Sequence, residues 1–275
     1  MPKDAFQYNK HFVYSGILNL NSTPEMKRSI QAALFTLFIA CLPFQYVIAQ
    51  SISEYTAGME YYEGFFDFWW DENTGKIWLE VDKLDQEFIY VNSLAAGIGS
   101  NDIGLDRSQL GNTRIVKFKR VGPKVLLVQP NYDYRATSGV ALEEKSVDEA
   151  FARSVLFGFD VEIREGDRVL IDLTDFLMQD AHGVAERLQA RNQGNFSRDL
   201  SRSAIYIPGT FNFPKNSEFE ATLTFTGSGA GAWLRSVAPS NDAITVRQHH
   251  SFVQLPDDGY KPRKFDPRSG STPSS

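Results

Sequence analysis

The sequence predicts an α+β fold that is mainly antiparallel β, built as successive hairpins with a few short helices. Three observations lead there. Aromatic and β-branched runs recur in pairs around short clusters of turn-forming residues. Phe219, Ala221, Leu223 and Phe225 alternate with polar residues at the period of a half-buried strand. Helix-start signals are sparse and weak.

After a polar lead over 50–57, the stretch EGFFDFWWDENTGKIWLEV pairs two such runs across 71–76, where Asn73 and Gly75 tolerate the positive φ of a hairpin turn. A strand is expected over 87–94, then a long loop marked by glycines and Asn101-Asp102. Residues 113–128 read as a second hairpin turning at Gly122-Pro123. Ser146, followed by Asp148 and Glu149, predicts the N-cap of a short helix running to about Ser154. A third hairpin joins 155–164 to 169–173 around Glu165-Gly166-Asp167. Thr174 or Asp175 is expected to cap one helical turn, and 181–190 to form a further helix, against which Gly183 and the polar run 191–202 count. The last strands fall at 204–207, 218–226 and 244–255, with a Gly-rich loop, GSGAGAW, before the final one. From Pro256 the chain reads as a Pro-rich linker or tail to 275, so one β-rich domain is expected over 58–255.

The 275 residues are 42% hydrophobic and 23% charged, an ordinary globular composition that excludes a disordered chain. Lys and Arg number 28 against 34 Asp and Glu, and no basic patch interleaved with aromatics occurs, so nucleic acid is not the expected partner. From Met26, a positive head at Lys27 and Arg28 precedes an apolar run over 32–40 and a cleavage pattern, Val47-Ile48-Ala49, before Gln50. Residues 26–49 thus read as a secretory signal and 1–25 as an upstream extension. Pro43 and Gln45 break the apolar run short of the roughly 20 residues that cross a bilayer, so no stable membrane span is expected once the signal is cleaved. Cys41 follows Phe38-Ile39-Ala40, a loose lipoprotein box without its usual Leu; a plain signal is favoured and lipidation of Cys41 stays open. The expectation is an exported protein, periplasmic or extracellular. Its mature chain, 50–275, holds no cysteine, which removes disulfides, thiol catalysis and Cys-ligated zinc.

No constellation of residues spells a reaction. His249 and His250 are adjacent, and on a strand they point to opposite faces, which argues against one shared ion. His182 lacks a Glu at helical spacing, and no His-Glu-x-x-His occurs. Asp71, Asn73 and Gly75 imitate the start of a calcium loop without its distal Glu. The glycine runs 97–104 and 227–231 lack the lysine of a phosphate loop. Acid pairs such as Asp172 with Asp175 or Glu143 with Glu144 have no visible separation across a cleft. Catalytic, cofactor and metal residues are therefore expected to number none. Aromatic residues supply the remaining lead: Trp69, Trp70 and Trp78, among Tyr61, Tyr62, Phe65, Phe66 and Phe68, form either one buried sheet face or a platform for glycans or peptides.

Four blocks carry a resemblance: EGFFDFWWDENTGKIWLEV, the stretch from GIGSNDIG to QPNYDYRA, FARSVLFGFDV, and HHSFVQLPDDGYKPRKFDPRSG. Together, over about 58–270, they resemble the N-terminal domain of unknown function that precedes the catalytic domain in large secreted bacterial zinc-dependent metalloproteases. The resemblance implies a non-catalytic accessory role. It implies zinc only in a downstream catalytic domain, which would be the main partner, with peptide substrate as a further one. No catalytic or metal residue of that family has a matching position here, so the chain reads as a fragment lacking the catalytic domain. The alternative, an independent envelope module binding glycans or peptides through exposed aromatics, remains open.

Overall fold

Strand-forming runs this close together leave one another's edges unpaired unless the sheet grows, and here it grows until its ends meet. A computed structural model describes residues 51–134, 136, 139–257 and 259, all within the unit Ala49–Ser275. The upstream extension, the signal and nearly all of the Pro-rich tail lie outside the described residues.

The strands are β1 (Glu60–Tyr62), β2 (Phe68–Asp71), β3 (Lys76–Val81), β4 (Glu87–Ala96), β5 (Leu110–Val121), β6 (Lys124–Gln129), β7 (Ser154–Glu165), β8 (Arg168–Asp172), β9 (Asn195–Ile205), β10 (Phe211–Phe213), β11 (Asn216–Ser228) and β12 (Ala243–Gln254). The helices are α1 (Ile52–Tyr55), α2 (Ala141–Ala150), α3 (Thr174–Leu177), α4 (Val184–Ala190) and α5 (Ala232–Val237), with a 3-10 turn at Ile207–Gly209. All strands join one antiparallel sheet in the order β1-β2-β3-β8-β7-β6-β5-β4-β12-β11-β10, with β9 also on β11. The three expected hairpins are β2-β3, β5-β6 and β7-β8. Gly75, Gly122 and Gly166 each hold positive φ in their turns, which a side chain would oppose.

The first and last strands of this order are brought together by the segment between β1 and β2. The Phe65 N–H donates to the Phe213 carbonyl at 2.8 Å. The Asn212 side-chain amide donates to the carbonyls of Tyr62 and Phe66, both at 2.8 Å, and accepts from the Ser217 hydroxyl at 2.7 Å. Inside the curled wall, Phe66, Phe68, Phe88, Phe118, Phe219 and Phe252 are fully buried. Their rings meet mostly edge to face, as between Phe66 and Phe118 at 5.5 Å, the geometry the ring quadrupole favours. A second core, including Leu94, Leu188, Phe225 and Leu234, lies under α4 and α5, and a third small one joins Ile52, Trp78 and Leu170 under α1.

Several expectations are corrected. The folded unit reaches back beyond residue 58 to Ser51, whose hydroxyl and Glu54 form a capping box for α1, with Ile52 buried. The helix assigned to a Ser146 cap begins five residues earlier, at Ala141, because Ala-Leu-Glu-Glu propagates a helix without a capping side chain. Asp172, rather than Thr174 or Asp175, receives the first free N–H of α3. Helix α4 starts only at Val184, where the Asp180 carboxylate accepts from Val184 and Ala185 and Gly183 supplies positive φ. The stretch read as a Gly-rich loop, 227–233, runs into α5 at Ala232, a helix anchored by buried Leu234. The polar run 191–202, to which the sequence assigns no element, supplies most of β9; on this outer strand Phe196 is the single buried residue, so no alternation shows. No helix among the described residues is long and apolar enough to cross a membrane.

If Asn212 holds the sheet closed, Asn212→Ala removes the side-chain donor to the Tyr62 carbonyl and leaves the Phe66 carbonyl with the longer Ser217 hydroxyl contact at 3.4 Å, and costs about 2–3 kcal/mol in urea unfolding. Gly64→Ala, whose new Cβ would lie 2.2 Å from the Asn212 side chain, weakens the fold for the same reason. Changes under about 0.5 kcal/mol in both, within the range of ordinary surface substitutions, contradict this account of the seam.

Candidate functional site

Alternation along β12 sends Arg247, His249 and Ser251 to the outer face and Gln248, His250 and Phe252 to the inner one. On β11 the outer residues are Asn216, Glu218 and Glu220, and the register sets Glu218 opposite Ser251 and Glu220 opposite His249. Two strands therefore place two carboxylates around one imidazole. His249 Nε2 lies 2.7 Å from Glu218 Oε2, and Nδ1 lies 3.2 Å from Glu220 Oε1. The ladder continues outward: Arg247 Nε lies 2.7 Å from Glu220 Oε2, an ion pair out of line for a hydrogen bond, and its guanidinium sits 4.3 Å above the Tyr206 ring. Ser251 Oγ donates to Glu218 Oε2 at 2.5 Å. The 3-10 turn roofs the cluster so closely that a Cβ on Gly209 would fall 2.2 Å from Glu220 Oε2.

Four ionisable side chains, Arg247, His249, Glu218 and Glu220, thus meet on the outer face, and their geometry limits their chemistry. Ser251 and His249 both donate to the same Glu218 oxygen, so no serine–imidazole contact exists from which a nucleophile could be activated. Both His249 nitrogens face carboxylates, leaving no lone pair for a metal. Burial disfavours the His249 charge, yet the hydrogen bond and charge of Glu218, then those of Glu220, outweigh it and raise its pKa. Burial likewise opposes the Glu218 charge, and hydrogen bonds from His249, Ser251 and Asn216 reverse the balance and lower its pKa. Both shifts describe an imidazolium held between carboxylates, a cross-strand clamp.

His250 is fully buried on the inner face. With a proton on Nε2 it donates to the Leu177 carbonyl at 3.1 Å while Nδ1 accepts from the Tyr90 hydroxyl at 2.9 Å. With the proton on Nδ1, that nitrogen donates to Tyr90 and Nε2 accepts from the Gln248 amide at 2.9 Å. Either tautomer occupies both nitrogens. Burial holds the ring neutral, pushing its pKa down to about 3, the Leu177 contact opposing this and the His249 charge adding to it. Gln248 also accepts from the backbone of His182, itself half-buried with a lowered pKa through burial and the charge of Arg187. Among the described residues, no group of three or more His, Cys, Asp or Glu side chains could hold a metal ion.

The three tryptophans do not share one surface. Trp69 and Trp78 are register partners on one face, where Trp78 is 5% exposed and meets Tyr55 edge to face at 5.0 Å. Trp70 packs against the main core on the other face. The rings that reach solvent among the described residues are Tyr61, Tyr134, Phe151, Phe211, Phe213 and Trp233, of which the aromatic cluster read from sequence includes only Tyr61. Asp71 takes the Asn73 N–H and the Thr74 hydroxyl in an ordinary turn, and Asp172 pairs with Lys76. The loop after β4 buries Ile103 and Leu105 in the second core. The clamp itself escaped sequence reading: Glu-Phe-Glu and Arg-Gln-His-His-Ser show the alternation, but only the register of β11 on β12 brings them together.

A family model described as a domain of unknown function (DUF5117) matches residues 108–274. No curated protein and no solved structure matches the chain.

The two neighbouring histidines make opposite demands on pH. An unfolded histidine titrates near 6.5, so below about pH 6.5 the unfolded chain takes a proton that buried His250 refuses, and stability falls as pH drops. His249, with a raised pKa, contributes fully below about 6.5 and loses that contribution as pH rises through its folded value. Urea unfolding at pH 5, 6.5 and 8.5 is expected to show greatest stability near 6.5. His249→Gln should abolish the alkaline loss and leave the acid loss in place; an undiminished alkaline loss in that variant contradicts the clamp.

Proposed function

The chain belongs to the DUF5117 family, and from that premise we propose that it is a non-catalytic accessory domain of an exported zinc-dependent metalloprotease, packing against the catalytic domain. The observation that carries this reading is the surface at the seam. Phe211 and Phe213 on β10 and Tyr61 on β1 are each about half exposed on the two strands that end the sheet order, beside a wall whose interior is filled by aromatic rings. Large aromatic rings left outside a full core suit burial by another folded surface. Two further points support the reading. The ordered blocks over 58–270 resemble the region preceding such catalytic domains, and the rings of His182, His249 and His250 each contact a hydrogen-bonding partner within this fold, His182 through the Asn92 amide at 3.4 Å. Zinc, in this reading, is held by the catalytic domain, and export follows from the signal at 26–49.

The purified chain should show no chelator-sensitive cleavage of a peptide library. Turnover that disappears with chelator and with His249→Ala or His250→Ala would overturn the proposal. In the same reading, Phe211→Ser with Phe213→Ser leaves urea stability within about 0.5 kcal/mol of the native chain, since neither ring is in the core. A larger loss reassigns these rings to holding the domain itself together.

A further inference from the structure

Helix α2 is an oddity of packing: none of its ten residues is buried, and Leu142 is 79% exposed. An isolated helix of this length is marginal in water, so something must cover it. Beneath it runs a groove of about 710 Å³, open over the outer face of the sheet, lined by Glu87, Lys117, Tyr134, Glu144, Asp148 and Phe151. Tyr134 and Phe151 stack at 3.8 Å to make one wall.

We propose that this groove is the seat of the chain's own segment 260–268, Tyr-Lys-Pro-Arg-Lys-Phe-Asp-Pro-Arg. Three observations converge on that occupant. First, the register delivers it. Gln254, the last residue of β12, pairs with Phe88, and the next row of the sheet runs Glu87, Lys117, Val128, which is the floor of the groove. Strands lie about 4.8 Å apart, so the chain leaves β12 within roughly 10 Å of Lys117 and needs only a few extended residues to enter. Secondly, the charges match. Helix α2 carries Glu143, Glu144, Asp148 and Glu149 against Lys145, while 260–268 carries Lys261, Arg263, Lys264 and Arg268 against Asp266. Ion pairs to Lys145 and Arg153 occupy Glu149 and Asp148 at 3.6 and 3.5 Å, leaving Glu143 and Glu144 for the incoming bases. Tyr260 and Phe265 supply rings for the stacked pair to receive. Thirdly, the family match continues past the last strand to residue 274, so this segment belongs to the same family pattern as the sheet. The inference does not rest on the protease reading and stands or falls separately.

The test is amide hydrogen exchange over 141–150 in the full chain, against a variant with Lys261→Glu, Arg263→Glu, Lys264→Glu and Arg268→Glu, at two protein concentrations. These four positions lie beyond the last strand, and unchanged exchange in β11 and β12 verifies that the sheet is intact. The expected result is at least tenfold faster exchange of α2 in the variant, restored in part when Glu143→Lys and Glu144→Lys are added. Equal exchange in native and variant chains overturns the proposal. So does protection that grows with concentration, which would assign the groove to a second copy.

Discussion

One amide holds the architecture. Asn212 sits on one of the two three-residue strands of the sheet, yet its side chain bridges the carbonyls of Tyr62 on β1 and of Phe66 in the loop before β2, and engages Ser217 on the neighbouring strand. Without that bridge, the carbonyls of Tyr62 and Phe66 would lose donors next to a core of phenylalanines, a location where water is a poor substitute. The filled interior follows from closure. A sheet that meets itself has an inside, and in this chain the inside is lined by side chains from nine different strands, six of which contribute buried aromatic rings. The filled interior leaves the clamp over β11 and β12, the aromatic seam and the groove under α2 as features of the outer surface.

The clamp and the buried His250 show how one dipeptide serves two environments. Successive residues on β12 face a pair of carboxylates on one side and a ring of carbonyl, hydroxyl and amide groups on the other. The first environment stabilises a cation and the second excludes one. Charge on the outer face can therefore bind strands together without introducing charge into the core, and neither imidazole is left with a free electron pair for catalysis.

The hairpins were legible because their information is local: Asn73 with Gly75, Gly122 with Pro123, and Gly166 each sit between runs of the right period. What was illegible is what depends on partners distant in sequence. Phe65 and Phe213 meet across the whole fold, and nothing near either one announces it. The Glu218–His249 contact needed the register of two strands joined by a helix-bearing loop. Strand β9 was missed for the opposite reason: its Asn-Phe-Ser-Arg-Asp-Leu-Ser-Arg sequence answers to solvent along most of its length, so the apolar rhythm that betrays a strand is missing. The tryptophans, read from sequence as one cluster, divide between two faces of the sheet, as alternation along β2 separates Trp69 from Trp70.

That same hydrophilic β9 has a wider bearing. A lateral strand offers unsatisfied peptide groups to any neighbour of like shape, and stacking of copies through such margins is a common route to fibrils. Arg198, Asp199 and Arg202 on β9 make approach by an identical strand electrostatically awkward and desolvation costly. Charged side chains on a lateral strand are a recognised means of discouraging such stacking, and here they lie in the stretch that looks, in isolation, like the least structured part of the sequence.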